Sequence, residues 1–298
     1  MAKKQLGIAI IGCGLISRFH LKAIGGVPAF QVIGVWDAIP EAAKGVGESC
    51  GVPVYATLAE LLHDPRVDVV DICLPSGLHA EFGCQAAQAG KHVIVEKPID
   101  VTLEAAQRLQ ETARRAGVHV AEIFQYRFVP SVRRVKQALD EKVLGRLYAG
   151  EATIKWFRDE NYYRSSKWKG TKRLDGGGAL INQAIHTIDV LLWFLGEPKA
   201  VTSLVRTARH AIEVEDLAMA LVTFEGGLVG SITGATSFKP GFPERIELFG
   251  EKGAIALESG RIVRWKVDGC REEDYVEPAT SFTGSADPAG ISAENHQT

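Results

Sequence analysis

Leu6-Gly7-Ile8-Ala9-Ile10-Ile11-Gly12-Cys13-Gly14-Leu15-Ile16-Ser17 is the stretch whose reading decides the fold. A short apolar run stops at a glycine turn, and an amphipathic stretch, 17–24, follows at once. An apolar run without alternation predicts a strand buried on both faces of a parallel sheet. The turn has the form GxGxxG with Ser17 in the third glycine's place. The first glycine permits the tight turn, the second lets backbone approach a pyrophosphate, and the third position needs only a small residue for helix–strand packing. A diphosphate there lies on free N–H groups at the positive end of the helix dipole, with Gly12, Gly14, Leu15 and Ile16 as contacts. Asp37 follows 23 residues after Gly14, where a carboxylate accepts hydrogen bonds from ribose hydroxyls and repels a 2′-phosphate. No cation follows at Ala38, Ile39 or Pro40, so the expected cofactor is NAD rather than NADP. The competing role for Asp37 is to cap the helix that Pro40 begins.

Outward from this turn the rhythm continues. Strands are expected at 6–11, 31–36, 67–74, 92–95 and 118–124, with helices at 17–24, 40–48, 58–63, 79–89 and 103–116 between them. That alternation is the doubly wound α/β pattern. After about Gln125 a helix at 131–141 precedes longer alternating runs at 147–157, 200–207, 216–224, 228–236, 245–249 and 261–267. Glu225-Gly226-Gly227 and 250–253 supply hairpin turns, so this half is read as α+β with a mostly antiparallel sheet, interrupted by a long helix at 179–195. The expected division is 1–125 for dinucleotide binding and 126–298 for substrate binding and oligomerisation, with 280–298 read as loop.

The chain has 298 residues, 46% of them apolar and 23% charged, in the range of a globular protein. Lys plus Arg number 34 against 36 Asp plus Glu, a net charge of −2, which argues against nucleic acid as a partner. The longest apolar run, 181–195, is broken by Asn182, Gln183, His186 and Asp189, so no membrane span is expected. Lys3 and Lys4 before an apolar stretch imitate a secretion signal, but the stretch runs straight into the glycine turn. Five scattered cysteines without a CxxC pair point to a reducing compartment, the cytoplasm.

Three further motifs stand out: Leu74-Pro75-Ser76-Gly77-Leu78-His79 at a strand end, Glu96-Lys97-Pro98 at the next, and Asp175-Gly176-Gly177-Gly178 leading into a helix with Asn182, His186 and Asp189. Together with the glycine turn these resemble the glucose–fructose oxidoreductase / inositol dehydrogenase / rhizopine-catabolism (Gfo/Idh/MocA) family over essentially the whole chain. The resemblance implies a Rossmann domain followed by a domain with a large open antiparallel sheet that forms homo-oligomer contacts. It implies NAD(P)-dependent oxidation or reduction at a sugar or cyclitol carbon, and a cis bond at Lys97-Pro98. It also implies cofactor contacts at Leu74, Pro75, Ser76, His79, Glu96 and Lys97. Members of the family usually continue past a segment such as 281–296 into a final helix, where this sequence stops.

Side-chain chemistry supports these roles separately. A lysine at the carboxyl end of a parallel strand, in a closed site, loses solvation and shares a proton with a substrate hydroxyl. Asn182, His186 and Asp189 fall at i, i+4 and i+7 on one helix face, and the imidazole titrates near neutrality. Lys97 and His186 are therefore the catalytic candidates, and which of them takes the proton stays open. The family's commonest pattern has Asp where Asn182 stands, and an amide cannot carry charge. Asp175, ahead of the three glycines, reads as a residue that caps or shapes their turn. With no third ligand beside His186 and Asp189, no metal is expected.

Residues 155–175 hold seven cations against three acids, interleaved with Trp156, Phe157, Tyr162, Tyr163 and Trp168. Such a mixture suits an anionic ring-bearing ligand, and equally an oligomer contact or a solvated loop. The stretch 162–171, together with 175–189, is similar to nucleotide-sugar dehydrogenases of the family that oxidise the 3-hydroxyl of UDP-N-acetylglucosaminuronate. Substrate contacts are thus expected at Lys97, Arg127, Arg164, Trp168, Asn182 and His186, with Arg127 alternatively bracing the domain junction. The rival readings are a neutral-sugar or inositol dehydrogenase and a regulator that senses dinucleotide without catalysis.

Overall fold

The computed structural model describes residues 5–277 in two compact units, one of 5–123 with Arg173–Gly176, the other of Phe124–Lys172 with 177–277. Residues 280–298, read above as loop, lie outside the described residues.

In the first unit β1 (Leu6–Ile11), β2 (Phe30–Trp36), β3 (Val69–Ile72), β4 (His92–Val95) and β5 (Val120–Glu122) form one sheet in the order β2-β1-β3-β4-β5. Every pairing is parallel. The helices are α1 (Leu15–Gly25), α2 (Pro40–Cys50), α3 (Leu58–His63), α4 (His79–Gln88) and α5 (Leu103–Ala116). Local chemistry sets their ends. The Thr57 and Thr102 hydroxyls accept the Glu60 and Ala105 N–H groups, and Gly51 and Gly117 close α2 and α5 in the left-handed conformation. Ile8, Ala9, Ile10, Ile11, Val70 and Ile72 are fully or almost fully buried, as a strand covered on both faces requires. β3 and β5 are shorter than their apolar runs, because the ladder ends where the chain turns away to form the site.

Gly12 is the residue on which that turn depends. Its φ is +99°, and a Cβ there would lie 2.6 Å from the Cys73 carbonyl oxygen. Any other residue is strained in backbone and clashes with backbone.

In the second unit the elements are α6 (Pro130–Asp140), β6 (Leu147–Lys155), α7 (Glu160–Arg164), α8 (Ile185–Leu195), β7 (Pro198–Arg206), β8 (Leu217–Phe224), β9 (Val229–Ala235), β10 (Arg245–Gly250), β11 (Gly253–Glu258) and β12 (Arg261–Val267). The sheet order is β12-β11-β10-β6-β9-β8-β7. Val132 and Val135 of α6 and Val190, Leu191 and Phe194 of α8 pack with Ile154, Val222, Ile246 and Leu248 of the sheet. The opposite face of β7–β9 is bare, with Leu204, Met219, Leu221 and Val229 about half or more exposed.

Three features differ from the sequence reading. The sheet has an extra strand, β11, whose Ala-rich run has weak strand preference. One pair inside it, β6 with β9, is parallel, which needs a long crossover and leaves no hairpin signal. The expected helix at 179–195 is α8 preceded by a π-helical segment, Ala179–Ala184.

Gly12→Ala is expected to destabilise the protein by about 2 kcal/mol or more and to abolish NADH binding, read by denaturant unfolding and by nucleotide fluorescence. An unfolding midpoint equal to wild type would remove the strain argument.

Candidate active site

The expected cofactor contacts of the first unit gather at the carboxyl ends of β1, β2, β3 and β4. Gly14 opens α1 as its N-cap, with no side chain capping the helix. A Cβ on Gly14 would meet nothing within 4 Å, so no protein atom demands a glycine there. What the absent side chain leaves is open space above a helix N-terminus, the cradle a diphosphate needs. Asp37 lies beside it. Its carboxylate accepts the Cys13 N–H at 2.7 Å and the Ile39 N–H at 2.8 Å, while α2 has Ile39 as its N-cap and no side-chain cap. The carboxylate is therefore tied to the glycine turn rather than spent on capping α2. These residues fit a dinucleotide.

Leu74, Pro75 and Ser76 follow β3, and Ser76 is buried at the start of a short 3-10 turn. His79, expected above as a cofactor contact, turns its ring to backbone carbonyls. Its ring is 1% exposed and its two nitrogens lie 2.7 Å from the Pro98 carbonyl and 2.8 Å from the Leu74 carbonyl. It ties the end of β3 to the turn after β4.

That turn carries Lys97, and the Lys97–Pro98 bond is cis. Glu96 is buried, with one carboxylate oxygen accepting the Lys97 N–H at 3.1 Å. Glu122, at the end of β5, accepts the Ile99 N–H at 2.8 Å. Burial holds the Lys97 amine below the ordinary lysine range, opposed by the charges of Glu96, Asp175 and Glu122. Asp175 is thus more than a residue that shapes the glycine turn. It is buried, belongs to the first unit although 78 residues further along the chain, and faces Lys97 electrostatically. Only the return of Arg173–Gly176 to this unit reveals it.

In the second unit His186 is half-buried on α8, stacked on Tyr126 with ring centroids 5.1 Å apart and edge-on to Phe124 at 6.0 Å. Asn182 sits in the π segment, whereas His186 and Asp189 lie on α8. Asp189 is held by Arg127 through two bonds of 2.7 and 2.6 Å, and the guanidinium also lies 5.5 Å from the Trp193 ring. Arg127 thus braces α8 within the second unit.

Asn182 joins a network the sequence reading missed. Gln183 donates to the Asn182 carbonyl at 3.1 Å and to the Tyr162 hydroxyl at 2.8 Å, and its own carbonyl accepts two bonds from Arg158. Arg158 is buried between the Trp156 and Tyr162 rings, each 5.2 Å from its guanidinium, and burial weakens its hold on the proton. The basic stretch is partly helical, with Asp159 capping α7 through the Tyr162 N–H at 2.9 Å. Arg164 and Lys167 are exposed and make no ion pair among the described residues. Trp168 is half-buried, its carbonyl accepting both the N–H and the hydroxyl of Thr171. Glu215 anchors the π segment by accepting the Gly178 and Leu180 N–H groups at 3.0 and 2.9 Å. A Cβ on Gly178 would sit 1.7 Å from the Glu215 carbonyl oxygen, which explains the last of the three glycines.

Residues 6–124 match the model of an oxidoreductase family with an NAD-binding Rossmann fold, and residues 132–256 match the GFO/IDH/MocA C-terminal domain. The chain belongs to the Gfo/Idh/MocA family. Among solved members, the WlbA dehydrogenase of Bordetella pertussis in complex with NADH and UDP-GlcNAcA superposes with a TM-score of 0.87 at 30% identity, over 92% of this chain and 80% of that one. The levoglucosan dehydrogenase of Pseudarthrobacter phenanthrenivorans is 28% identical over 96% of this chain and 82% of its own. The myo-inositol 2-dehydrogenase of Thermotoga maritima is 27% identical over 97% of this chain and 91% of its own. This Gfo/Idh/MocA member is accordingly an NAD-dependent oxidoreductase of a sugar dehydrogenase family.

Replacing Asp37 by Ser removes the charge that repels a 2′-phosphate. The NAD-to-NADP ratio of binding constants, measured by fluorescence titration of the reduced forms, is expected to fall at least tenfold. An unchanged ratio would take cofactor choice away from Asp37.

Proposed function

We propose that this protein oxidises a secondary hydroxyl of an anionic sugar, of the nucleotide-linked uronate kind, with NAD as hydride acceptor. The observation that carries the substrate class is the cation-and-aromatic array of the second unit: Arg158 between Trp156 and Tyr162, with Arg164 and Lys167 exposed on and after α7. Guanidinium groups pair with carboxylate or phosphate, and flat rings cover a sugar or a base. The likeness to WlbA, bound to a nucleotide sugar, supports the same reading.

Two groups are assigned to proton handling, Lys97 on the first unit and His186 on the second, and each is tested on its own. Lys97 is suited as a base because burial favours its neutral amine, so that a hydroxyl proton can pass to Nζ at a pH below that of an ordinary lysine. In the oxidising direction activity then rises with pH as this amine loses its proton. His186 presents an imidazole whose plane is fixed by Tyr126 and Phe124, a group that can donate to or accept from a hydroxyl without reorienting. Asn182 orients substrate and carries no charge. Leu74, Pro75 and Ser76, with Gly12, Gly14, Leu15, Ile16 and Asp37, hold the dinucleotide, which supplies the hydride acceptor when bound.

The decisive assay is NADH formation on mixing protein and NAD with UDP-sugar uronates, neutral sugars and inositols. Turnover of a uronate, with Arg164→Ala raising KM for it at least fivefold, is the expected result. Turnover of inositols or neutral sugars alone would replace the substrate class. NADH binding without turnover across the panel would favour a dinucleotide-sensing regulator. Lys97→Met and His186→Ala are each expected to lower kcat about 10²–10⁴-fold with NADH affinity kept, and a variant with undiminished kcat drops that residue from the mechanism.

Self-association through the bare face of β7–β9 completes the proposal. An apolar sheet face of this kind is covered in a stable protein, and a second copy of the same sheet is the self-complementary cover. Leu221→Glu is expected to convert the oligomer to monomer in light scattering behind a sizing column; an unaltered mass would free this face of the role. The protein is assigned to the cytoplasm on its free thiols at Cys13, Cys50, Cys73, Cys84 and Cys270. Among the described residues no helix is long and apolar enough to cross a membrane.

A further inference from the structure

Beneath the Lys97 turn lies a buried cluster that the proposed chemistry does not use. His20, in the middle of α1, places Nδ1 2.8 Å from Asp71 of β3 and Nε2 3.0 Å from Glu96. The Cys73 sulfur lies 3.5 Å from the same Nδ1. His20, Asp71 and Glu96 are 5%, 1% and 7% exposed. A neutral imidazole has one N–H and one lone pair, so it can satisfy one carboxylate and must face the other lone pair to lone pair. With both carboxyl groups ionised, contacts at opposite nitrogens require both nitrogens to carry protons.

We infer that His20 is a permanently charged positioning residue, an imidazolium clamped between Asp71 and Glu96, whose positive charge offsets theirs and so tempers the pull of Glu96 on Lys97. The inference rests on the assignment of Lys97 to proton transfer. Glu96 is the link, because one of its oxygens meets His20 and the other accepts the N–H of Lys97. His20 also belongs to the helix whose N-terminus forms the diphosphate cradle, so the clamp ties that helix to the lysine turn. Burial opposes the charge on His20, but Asp71 and Cys73 outweigh it and raise its proton affinity far above the ordinary range. The groups facing His20 are Asp71, Cys73 and Glu96, and those facing Lys97 are Glu96, Asp175 and Glu122.

His20, Asp71 and Cys73 also bring three metal-ligating atoms within 4.8 Å of one another. A cation would need the lone pair of Nδ1 and a thiolate. The 2.8 Å approach of Nδ1 to Asp71 is a hydrogen-bond distance, and burial beside Asp71 pushes the Cys73 thiol up to about 12. The cluster is a proton-filled one.

Two measurements test this, and neither needs a substrate. In the wild-type protein, long-range ¹H–¹⁵N correlation of the histidine rings should show both nitrogens of His20 protonated from pH 6 to 9. A neutral tautomer in that range, or a stoichiometric bound metal, overturns the inference. The second follows the Lys97 amine by NMR titration after reductive ¹³C-methylation, its signal assigned by loss in Lys97→Met. His20→Gln removes one positive charge and should raise the Lys97 pKa by about one unit. Adding Asp71→Asn removes one negative charge and should return it to within a few tenths of wild type. A shift that is absent in His20→Gln, or that persists in the double variant, refutes charge compensation. Because these titrations are read without turnover, they fail independently of the catalytic proposal, which the substrate panel judges.

Discussion

Taking a lysine amine out of water disfavours its charge, and surrounding it with carboxylates restores that charge; the turn after β4 does both at once. The balance leaves Lys97 below its ordinary range, with burial the larger effect. Such a balance has value only if the distances are fixed, since each charge–charge contribution varies inversely with separation. The structure fixes them through backbone. Glu122 holds the Ile99 N–H, Asp100 holds the N–H groups of Ala80 and Val101, and His79 grips the Pro98 carbonyl. Side chains from β5 and α4, and from the turn itself, converge on a few residues around one lysine. The parallel sheet makes this possible, because neighbouring strands deliver their carboxyl ends to the same edge.

Polar residues of the second unit divide between bracing and presenting. Asp189 is spent on Arg127, whose bidentate pairing also positions the guanidinium over Trp193. His186, one turn away on α8, has aromatic neighbours that orient its ring. An acid that braces and an imidazole held by stacking look alike in a sequence, since both appear as polar residues on an apolar helix. Only the partner distinguishes them.

The legibility of the molecule follows the range of the forces involved. Periodicity, the glycine turn and the threonine caps act over a few residues, and β1, β4, α3 and α5 accordingly run where the sequence places them. The place of Gly14 at the start of α1 and of Asp37 just after β2 is local in the same way, a strand–turn–helix signature. The parallel β6–β9 pair depends on a crossover of some seventy residues, and the π segment depends on Glu215 reaching back to Gly178 and Leu180. Neither has a local signal. Asp175 and His20 were missed for a third reason: a buried charge shows its purpose only through partners that the fold delivers from elsewhere. A signal for His20 did exist, in a titratable residue set between the apolar Phe19 and Leu21 of α1.

The amide at Asn182 is the departure from the family pattern that the network around it makes intelligible. Asn182 is one hydrogen bond from Gln183, and Gln183 is bound to the Arg158 guanidinium. A carboxylate at 182 would place negative charge two contacts from that cation, inside a setting where burial already strains the arginine's charge. It would offset part of the positive charge of the array that the substrate proposal requires. An amide keeps the geometry, accepting from Gln183 through its carbonyl, and leaves the positive charge of the array undiminished for a ligand. Within the first unit, Glu96, Asp175 and Glu122 supply the acidic charge that faces Lys97.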